Sequence, residues 1–340
     1  MRSAGVRTIV DAASLSVVGL VEVVSHIPRI YGEYRKMIHA AIEERPDVAI
    51  LTDSPDFHLR LARRLKRLGI PVVYLVAPQV WAWRRSRLRA IRRYVDRLLC
   101  IFPFETEFFA KHGIEAKYIG HPLTRLVKTS AKSDELRRRY GVSDGAQLVA
   151  LLPGSRKGEI GRHLPFLLDA VRQIGKSRPE LPLEFILAVP PGSNFRERIS
   201  EPSIQVKEGQ TWDVLACADL ALAASGTVTI EAALLGTPMI TFYRVNGLSW
   251  LMGKLLVRVP FYSMVNLVAG HRIVPELMQG EMTGERLATE ALALLENRSA
   301  RDKMRRELST VAQQLSGPQD PMEVAASLAE QHLKEEMVHA

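Results

Sequence analysis

Short apolar runs alternate with amphipathic helical patterns along most of this 340-residue chain. The apolar runs have the length of buried strands, and they are Val48–Thr52, Val72–Val76, Leu98–Ile101, Leu148–Leu152, Leu183–Val189, Leu220–Ala223 and Met239–Phe242. Apolar residues at helical spacing lie in Tyr31–Arg45, Phe57–Leu68, Arg84–Tyr94, Arg162–Ser177 and Val228–Leu235. Strands separated by helices of this size predict βαβ units with parallel sheets, and therefore an α/β fold.

The alternation stops between Gly120 and Gln147, where a polar and charged stretch follows His121-Pro122. A chain of this length exceeds the usual single domain. We therefore predict an N-terminal lobe (residues 1–122), a linker (123–146), a second Rossmann-like lobe (147–283) and C-terminal helices (284–340). The N-terminal lobe shows no strand, turn and helix before Val48, so it is predicted to lack its first βα unit.

Composition indicates the cellular compartment of the protein and the kind of partner that it binds. The formal net charge of +9 indicates an anionic partner, such as nucleic acid, an anionic membrane surface or a phosphorylated substrate. The sequence has no apolar stretch of the roughly 18 residues that span a bilayer, and residues 1–11 lack the apolar part of a signal peptide. Cys100 and Cys217 lie in apolar runs and are predicted to be buried, inert thiols of a cytoplasmic protein.

Two carboxylates follow the first predicted strand, in the segment Asp53-Ser54-Pro55-Asp56. Open α/β sheets bind ligands at the carboxyl ends of their strands, and Pro55 favours a turn before the next helix. Asp53 is therefore a candidate general base that removes a proton from an attacking hydroxyl, although stabilisation of the turn is an alternative role. Asp56 is predicted to cap the helix that begins at Phe57.

Two small-residue turns of the second lobe are suited to phosphate. Gly154-Ser155-Arg156 combines close backbone approach with a hydroxyl donor and a guanidinium group, the alternative being an ordinary βα loop. Ser225-Gly226-Thr227 precedes a helix whose amino end favours a pyrophosphate, and Glu231 lies one turn further on, where a carboxylate can bind ribose hydroxyls. The alternative for this second turn is plain N-capping, with Glu231 as the partner in a capping box.

Several signatures are absent from the sequence. It contains no Asp-x-Asp pair, no G-x-x-x-x-G-K-[ST] loop and no Cys/His cluster with metal-ligand spacing. We therefore predict neither a metal nor a cofactor. The positive charge at a departing diphosphate is expected from Arg156 and from backbone N–H groups.

Together with further motifs, these residues resemble the bacterial lipid-A-disaccharide synthases. The motifs follow the family order, and they are Asp53–Phe57, Ala77–Arg84 with its two tryptophans, Gly120-His121-Pro122, Leu152–Arg156 with Glu159, Ala224–Glu231, Gly236–Met239 with Tyr243-Arg244, and Asn266–Gly270. The resemblance extends from about Ser14 into the C-terminal helices. The family's opening strand and Gly-Glu-x-Ser-Gly-Asp turn have no counterpart in this sequence.

The resemblance implies a GT-B fold, with two Rossmann-like lobes facing a cleft. It also implies an inverting, metal-independent glycosyltransferase that moves 2,3-diacylglucosamine from UDP to a monosaccharide lipid phosphate and forms a β-1,6 disaccharide. Such an enzyme works at the cytoplasmic face of the inner membrane. Members of the family can dimerise by exchanging C-terminal segments, which implies a homodimer that exchanges the chain from Trp250 onward.

The resemblance also assigns roles to individual residues. Asp53 matches the essential aspartate and is the implied base, and Arg156 is implied to bind the nucleotide phosphates. The remaining implied donor-site residues, which would hold the pyrophosphate and ribose or lie near them, are Gly154, Ser155, Ser225, Gly226, Thr227, Glu231 and Asn266.

Two segments are suited to a membrane-bound substrate. Val17–Tyr31 is apolar with sparse charge and is either a core-facing helix or one that enters the lipid interface. Seven arginines crowd residues 84–97, as a solvated helical face or as a contact for anionic lipid. No recognition fold accompanies them, which argues against nucleic acid.

The residues leave two other functions open. A UDP-sugar epimerase would use the same fold and nucleotide site but would isomerise its substrate. A non-catalytic protein would only bind a nucleotide or a membrane.

Overall fold

The computed structural model describes residues 5–10, 20–193, 195, 199, 201, 203–247, 250, 253, 257 and 259–339. The chain divides into two compact units. The first unit is formed by Met1–Ile119 together with Gln319–Ala340, and the second by Gly120–Pro318. Each unit contains its own parallel sheet, which confirms the predicted α/β class with two Rossmann-like sheets.

In the first unit, helices and strands alternate along the chain. They are α1 (Leu20–Glu44), β1 (Ala49–Thr52), α2 (Pro55–Arg67), β2 (Val72–Leu75), α3 (Leu88–Tyr94), β3 (Arg97–Cys100), α4 (Pro103–Ala110) and β4 (Ala116–Tyr118). The sheet has the order β1-β2-β3-β4, and all its pairs are parallel. Helix α2 packs on the sheet through Leu59, Leu61, Ala62 and Leu65, which lie on one face at helical spacing.

The second unit begins with α5 (Leu123–Leu126) and α6 (Ser133–Arg139), which lie within the predicted linker. Its further elements are β5 (Gln147–Leu152), α7 (Lys157–Ser177), β6 (Leu183–Val189), β7 (Ile204–Glu208), α8 (Thr211–Cys217), β8 (Leu220–Ala224), α9 (Val228–Leu234), β9 (Met239–Tyr243), α10 (Met264–Ala269), β10 (Glu276–Met278), α11 (Gly284–Leu295) and α12 (Arg298–Leu315). The strand order is β10-β9-β8-β5-β6-β7. Its central strands are buried almost throughout, as expected for a parallel sheet covered on both faces.

The predicted C-terminal helices divide between the two units. Helices α11 and α12 belong to the second unit. The last helix, α13 (Pro321–His339), belongs to the first unit, where Ala325 and Ala329 pack against Val73 and Leu99 of β2 and β3. The chain therefore returns to its first sheet after it completes the second.

All seven predicted strands are confirmed, with ends that shift by one residue at most. Cys100 and Cys217 are buried free thiols, also as predicted, and burial raises the pKa of both. No strand precedes Ala49 in the described residues.

Of the predicted membrane segment, residues 17–19 and the side chains of 20–26 lie outside the description. Among the helices that are described, none is long and apolar enough to cross a bilayer.

Candidate functional site

The two predicted phosphate turns follow neighbouring strands of the second sheet. From β5 the chain runs through β6 and β7 to one edge, and it then returns to place β8, β9 and β10 on the other side. Strands β5 and β8 are paired, so the carboxyl ends of both lie at the point where the strand order reverses. Open α/β sheets form their ligand crevice at this point. The turns at residues 154–156 and 225–227 begin just beyond these two strand ends.

Both turns line one cavity of about 780 Å³. Seven of the eight predicted donor-site residues lie in its wall, and they are Gly154, Ser155, Arg156, Ser225, Gly226, Thr227 and Glu231. Further lining residues come from the predicted linker (128–130) and from the segment that enters α8 (209–213). A cavity of this volume is in the range of small-molecule and cofactor sites.

The first turn is organised around Glu159. Its carboxylate accepts hydrogen bonds from the Tyr243 hydroxyl at 2.9 Å and from the Arg156 guanidinium at 2.7 Å, and from the backbone N–H of Ser155 and Arg156 at 3.3 Å. Burial alone would raise the pKa of Glu159, but the bonds from Tyr243 and Arg156 outweigh it and lower the pKa. The side chain of Arg156 is still 62% exposed, so most of its donor fork is available to a ligand.

The second turn presents backbone donors rather than its hydroxyl. Ser225 donates its hydroxyl to the Tyr262 carbonyl at 2.8 Å and its N–H to the Phe242 carbonyl at 2.7 Å. The N–H groups of Gly226, Thr227 and Val228 donate to no other part of the described chain. Thr227 makes no side-chain cap to the following helix, so the N-cap alternative does not account for it.

The lining of the cavity also includes the aromatic side chain of Trp212 and further polar groups. Burial raises the pKa of Glu231, and a hydrogen bond from Trp212 opposes that shift. Glu231 also lies one residue beyond the position that a capping-box partner of Thr227 would occupy. Ser130 donates its N–H and hydroxyl to Asp213 at 2.7 and 2.6 Å, which holds residues 128–130 against the start of α8. No local motif marks these residues in the sequence, so they were not predicted.

Asn266 is not among the residues that line the cavity. It is fully buried, and its side-chain oxygen accepts the N–H groups of Ile273 and Val274 at 2.8 and 3.0 Å. Its amide donates to the Val274 carbonyl at 3.0 Å and to Glu276 at 2.9 Å. These four bonds use the whole hydrogen-bonding capacity of the amide, so none is left for a ligand.

In the first unit, Asp53 lies in a strained turn just after β1. Asp53 and Ser54 have φ values of 57° and 39°, in the left-handed region that non-glycine residues seldom adopt. The Asp53 carbonyl accepts hydrogen bonds from the Tyr74 hydroxyl at 2.6 Å and from the His58 ring at 2.8 Å. The carboxylate side chain is left exposed. Burial and then the Asp53 charge raise the pKa of Tyr74.

Strain recurs in the segment after β2, the neighbouring strand. Val76 and Arg84 have φ values of 63° and 55°, and a positive φ is a marked outlier for a β-branched residue. Four left-handed residues thus follow the carboxyl ends of two adjacent strands. Such strain persists only where surrounding contacts enforce it, and it is often found at functional sites.

The predicted helix cap at Asp56 is wrong. Helix α2 begins at Pro55, because proline is preorganised for the first helical position, and Ser54 precedes it. The Asp56 carboxylate pairs with Arg84 at 2.6 Å and with Arg87 at 2.7 Å. Burial opposes ionisation, but both arginines together lower the pKa of Asp56. These guanidinium groups also stack on Trp83, at 4.7 and 5.0 Å from its ring centre.

The two tryptophans of the predicted signature have different environments. Trp81 is buried and donates its indole N–H to Glu105 at 2.9 Å. Burial raises the pKa of Glu105 to about 7, although the Trp81 indole and two backbone N–H groups oppose the shift. Trp83, in contrast, is 38% exposed beside its two arginines. The buried tryptophan fixes the loop, while the exposed one lies against two guanidinium groups.

Solved structures of other enzymes share this fold. UDP-GlcNAc 2-epimerase from Neisseria meningitidis bound to UDP-GlcNAc matches 90% of this chain and 82% of its own, with a TM-score of 0.59 and 13% identity. Spinosyn rhamnosyltransferase complexed with thymidine diphosphate matches 88% of this chain and 78% of its own, with a TM-score of 0.59 and 15% identity. At these identities the likeness establishes the fold alone, and the fold is consistent with GT-B.

Sequence comparison identifies the family. The family model described as lipid-A-disaccharide synthetase matches residues 1–329. The lipid-A-disaccharide synthase of Solibacter usitatus is 56% identical over 342 residues, covering 100% of this chain and 89% of the relative. That of Myxococcus xanthus is 44% identical over 291 residues, covering 84% and 76%. The chain belongs to the lipid-A-disaccharide synthase family.

Proposed function

We propose that this glycosyltransferase of lipid A synthesis transfers 2,3-diacylglucosamine from UDP to the 6-hydroxyl of a monosaccharide lipid phosphate. The products are a β-1,6-linked lipid disaccharide phosphate and UDP. Family membership does not favour the UDP-sugar epimerase alternative, although epimerases share the fold.

The observation that supports this proposal most directly is the cavity of the second unit. Residues from two turns about 70 positions apart line one space at the reversal point of the sheet. One turn brings a guanidinium group, and the other brings backbone N–H groups that have no partner in the described part of the chain. Together these donors suit a diphosphate, which carries several anionic oxygens. Glu231 and Trp212 line the same cavity, and we assign the nucleoside to this part of the wall.

These hydrogen-bond donors explain how UDP departs from the sugar that is transferred. As the bond between the anomeric carbon and the diphosphate breaks, UDP leaves with the electron pair, and negative charge accumulates on its phosphate oxygens. Arg156 and the N–H groups of Gly226, Thr227 and Val228 stabilise that charge. Groups that are already oriented toward developing charge lower the barrier because they need not reorganise during the reaction.

We assign the deprotonation of the acceptor hydroxyl to Asp53. Its exposed carboxylate removes the proton of the acceptor hydroxyl, whose oxygen forms the new bond to the anomeric carbon as UDP departs. Attack from the face opposite the leaving group inverts the configuration. The bonds from Tyr74 and His58 act on the Asp53 carbonyl and hold the turn, which leaves the carboxylate free to take the proton.

Replacing Arg156 with alanine is expected to raise the KM for the UDP-sugar about tenfold, since a charged hydrogen bond to phosphate contributes about 1.5 kcal/mol or more. Arg156→Lys should recover part of this loss, because lysine keeps the charge but not the fork. Transfer is measured as equimolar UDP and lipid disaccharide phosphate, by mass spectrometry. The matched control is Lys157→Ala, which removes the adjacent exposed cation and should change the KM less than twofold. Isomerised UDP-sugar without disaccharide would contradict the proposed function.

The lipid substrates suggest a peripheral position on the cytoplasmic face of the inner membrane, and we include this position in the proposal. Helices α2 and α3 are neighbours, and both expose arginines that form no ion pair with described carboxylates, namely Arg60, Arg63, Arg64, Arg67, Arg89, Arg92 and Arg93. Anionic lipid attracts such a surface. The homodimer implied by the family resemblance also remains part of this proposal.

Exchanging Arg89 and Arg92 for glutamine is expected to weaken binding to vesicles of phosphatidylglycerol and phosphatidylethanolamine about 30-fold, at roughly 1 kcal/mol per residue. The difference should shrink at high salt, which screens exposed charge. Vesicle sedimentation measures the binding. Lys303→Gln with Arg306→Gln removes two exposed charges from α12 of the second unit and serves as control. An equal loss in both variants would mean that only the net charge matters.

A further inference from the structure

The sequence resemblance implies that Ser225 helps to hold the pyrophosphate, but in the structure its hydroxyl bonds to another segment of the protein. A serine hydroxyl has one hydrogen to donate, and here the Tyr262 carbonyl receives it at 2.8 Å. The contact joins two segments 37 residues apart, the turn after β8 and the segment before α10. Residues 226–228 line the cavity from a turn that this bond helps to hold in place.

The segment at Tyr262 is in turn held by a buried carboxylate. Glu276 is 7% exposed, and both its oxygens accept the Tyr262 N–H at 3.1 Å. One of them also accepts the Ser263 N–H at 2.8 Å. No lysine, arginine or histidine forms an ion pair with Glu276 among the described residues. Its charge is therefore stabilised by oriented N–H groups, and these are fixed in turn by the carboxylate.

Asn266 completes the chain of hydrogen bonds. Its amide donates to the Glu276 oxygen that accepts the Ser263 N–H, at 2.9 Å, and its other bonds hold the backbone of Ile273 and Val274. A buried carboxylate left with fewer donors would be costly, so Asn266 favours one orientation of Glu276. The bonds run from Asn266 through Glu276 and the Tyr262 backbone to Ser225.

We infer that Asn266 and Glu276 are positioning residues for UDP, acting through Tyr262 on the turn Ser225–Thr227. This inference rests on the proposed function, since it gives the turn a diphosphate to bind. Ser225 itself fixes the turn and does not donate to phosphate. The network thus explains why Asn266 belongs to a family motif although it does not line the cavity.

A double-mutant cycle on UDP affinity tests this inference, with dissociation constants from isothermal titration calorimetry. Ser225→Ala and Glu276→Ala are each expected to raise the Kd about tenfold, since each breaks the same path. The double variant should also lie near tenfold, whereas independent roles would give about a hundredfold. Glu276→Gln keeps one acceptor oxygen and should fall between wild type and Glu276→Ala, and it serves in the cycle if the alanine variant does not fold.

Thr241→Val is the matched control. Thr241 is fully buried, pairs with Glu276 across β9 and β10, and donates its hydroxyl to the Pro275 carbonyl at 2.9 Å. The substitution removes a buried hydrogen bond that lies beside the network but is not part of it. The Kd for UDP should therefore change less than twofold.

The possible outcomes separate the inference from the proposed function. A hundredfold Kd in the double variant, or an effect of Thr241→Val equal to that of Glu276→Ala, overturns the inference and leaves UDP binding intact. Failure of the wild type to bind UDP contradicts the proposed function and removes this role with it.

Discussion

Replacing Asp53 with asparagine is expected to lower the rate of disaccharide formation about a thousandfold, within the range that a general base contributes. The Kd for UDP should change less than twofold, because UDP is assigned to groups of the second unit. Rates are measured at saturating donor and acceptor, and UDP affinity by calorimetry. Loss of kcat with unchanged UDP affinity is the signature of a group that acts in the transition state.

Asparagine suits this test because it preserves the shape of the turn. Asp53 has φ 57°, a conformation that asparagine tolerates and alanine disfavours. The hydrogen bonds from Tyr74 and His58 go to the Asp53 carbonyl, so the substitution retains both. What changes is the ability of the side chain to accept a proton.

Asp47→Asn is the matched control for this prediction. Asp47 is an exposed aspartate just before β1, whereas Asp53 follows the same strand, so the same charge is removed at the other end. Its rate should stay within twofold of wild type. A variant at Asp53 that retained the wild-type rate would assign the residue to the turn alone, the alternative that the sequence left open.

The strands that the sequence did not predict all lie at sheet edges. They are β4, β7 and β10, and β7 and β10 form the two edges of the second sheet. Edge strands are short and often carry charge, which weakens the apolar signal by which strands are recognised. Strand β4 consists of Ala116, Lys117 and Tyr118, and β10 begins with the buried Glu276. Central strands, buried on both faces, carried the signal clearly, and the edge strand β1 was predicted as well because its run Val48–Thr52 is apolar up to Thr52.

Position relative to the central strands also decides which site residues could be predicted from the sequence. The residues of the two turns follow directly after central strands, and topology then brings those strand ends together. Trp212 and Ser130 reach the cavity through tertiary contacts that no local pattern marks. The partners of Asp56 lie 28 and 31 residues away along the chain. The local sequence could not show them, and the prediction that Asp56 caps a helix was therefore wrong.

Asn266 shows a further limit of motif matching. Its motif lies in the second unit, as does the cavity, yet the side chain is buried and makes four protein hydrogen bonds. A motif records that a residue matters for a site, but not how many bonds separate it from the ligand. Distances in the folded chain supply that information.

Replacing Gly154 with alanine is expected to raise the Kd for UDP at least tenfold, as judged by calorimetry. Gly154 has φ 120°, which L residues rarely adopt, and forcing such a conformation costs roughly 1–3 kcal/mol. An added Cβ would lie 3.0 Å from a carboxylate oxygen of Glu159 and 3.1 Å from its Cβ. Glu159 would have to move, and its bonds to Arg156 and Tyr243 would be disturbed.

Gly158→Ala provides the comparison that isolates this effect. Gly158 lies four residues further on, in the first turn of α7, and a Cβ there meets no atom of the described residues within 4 Å. Alanine is also the better helix former by about 1 kcal/mol, so this variant should be slightly more stable and should bind UDP like wild type. Because both variants add one methyl group to the same segment, their contrast reports the geometry at Gly154. Equal UDP affinity in the two would show that Gly154 and Glu159 do not organise the diphosphate site.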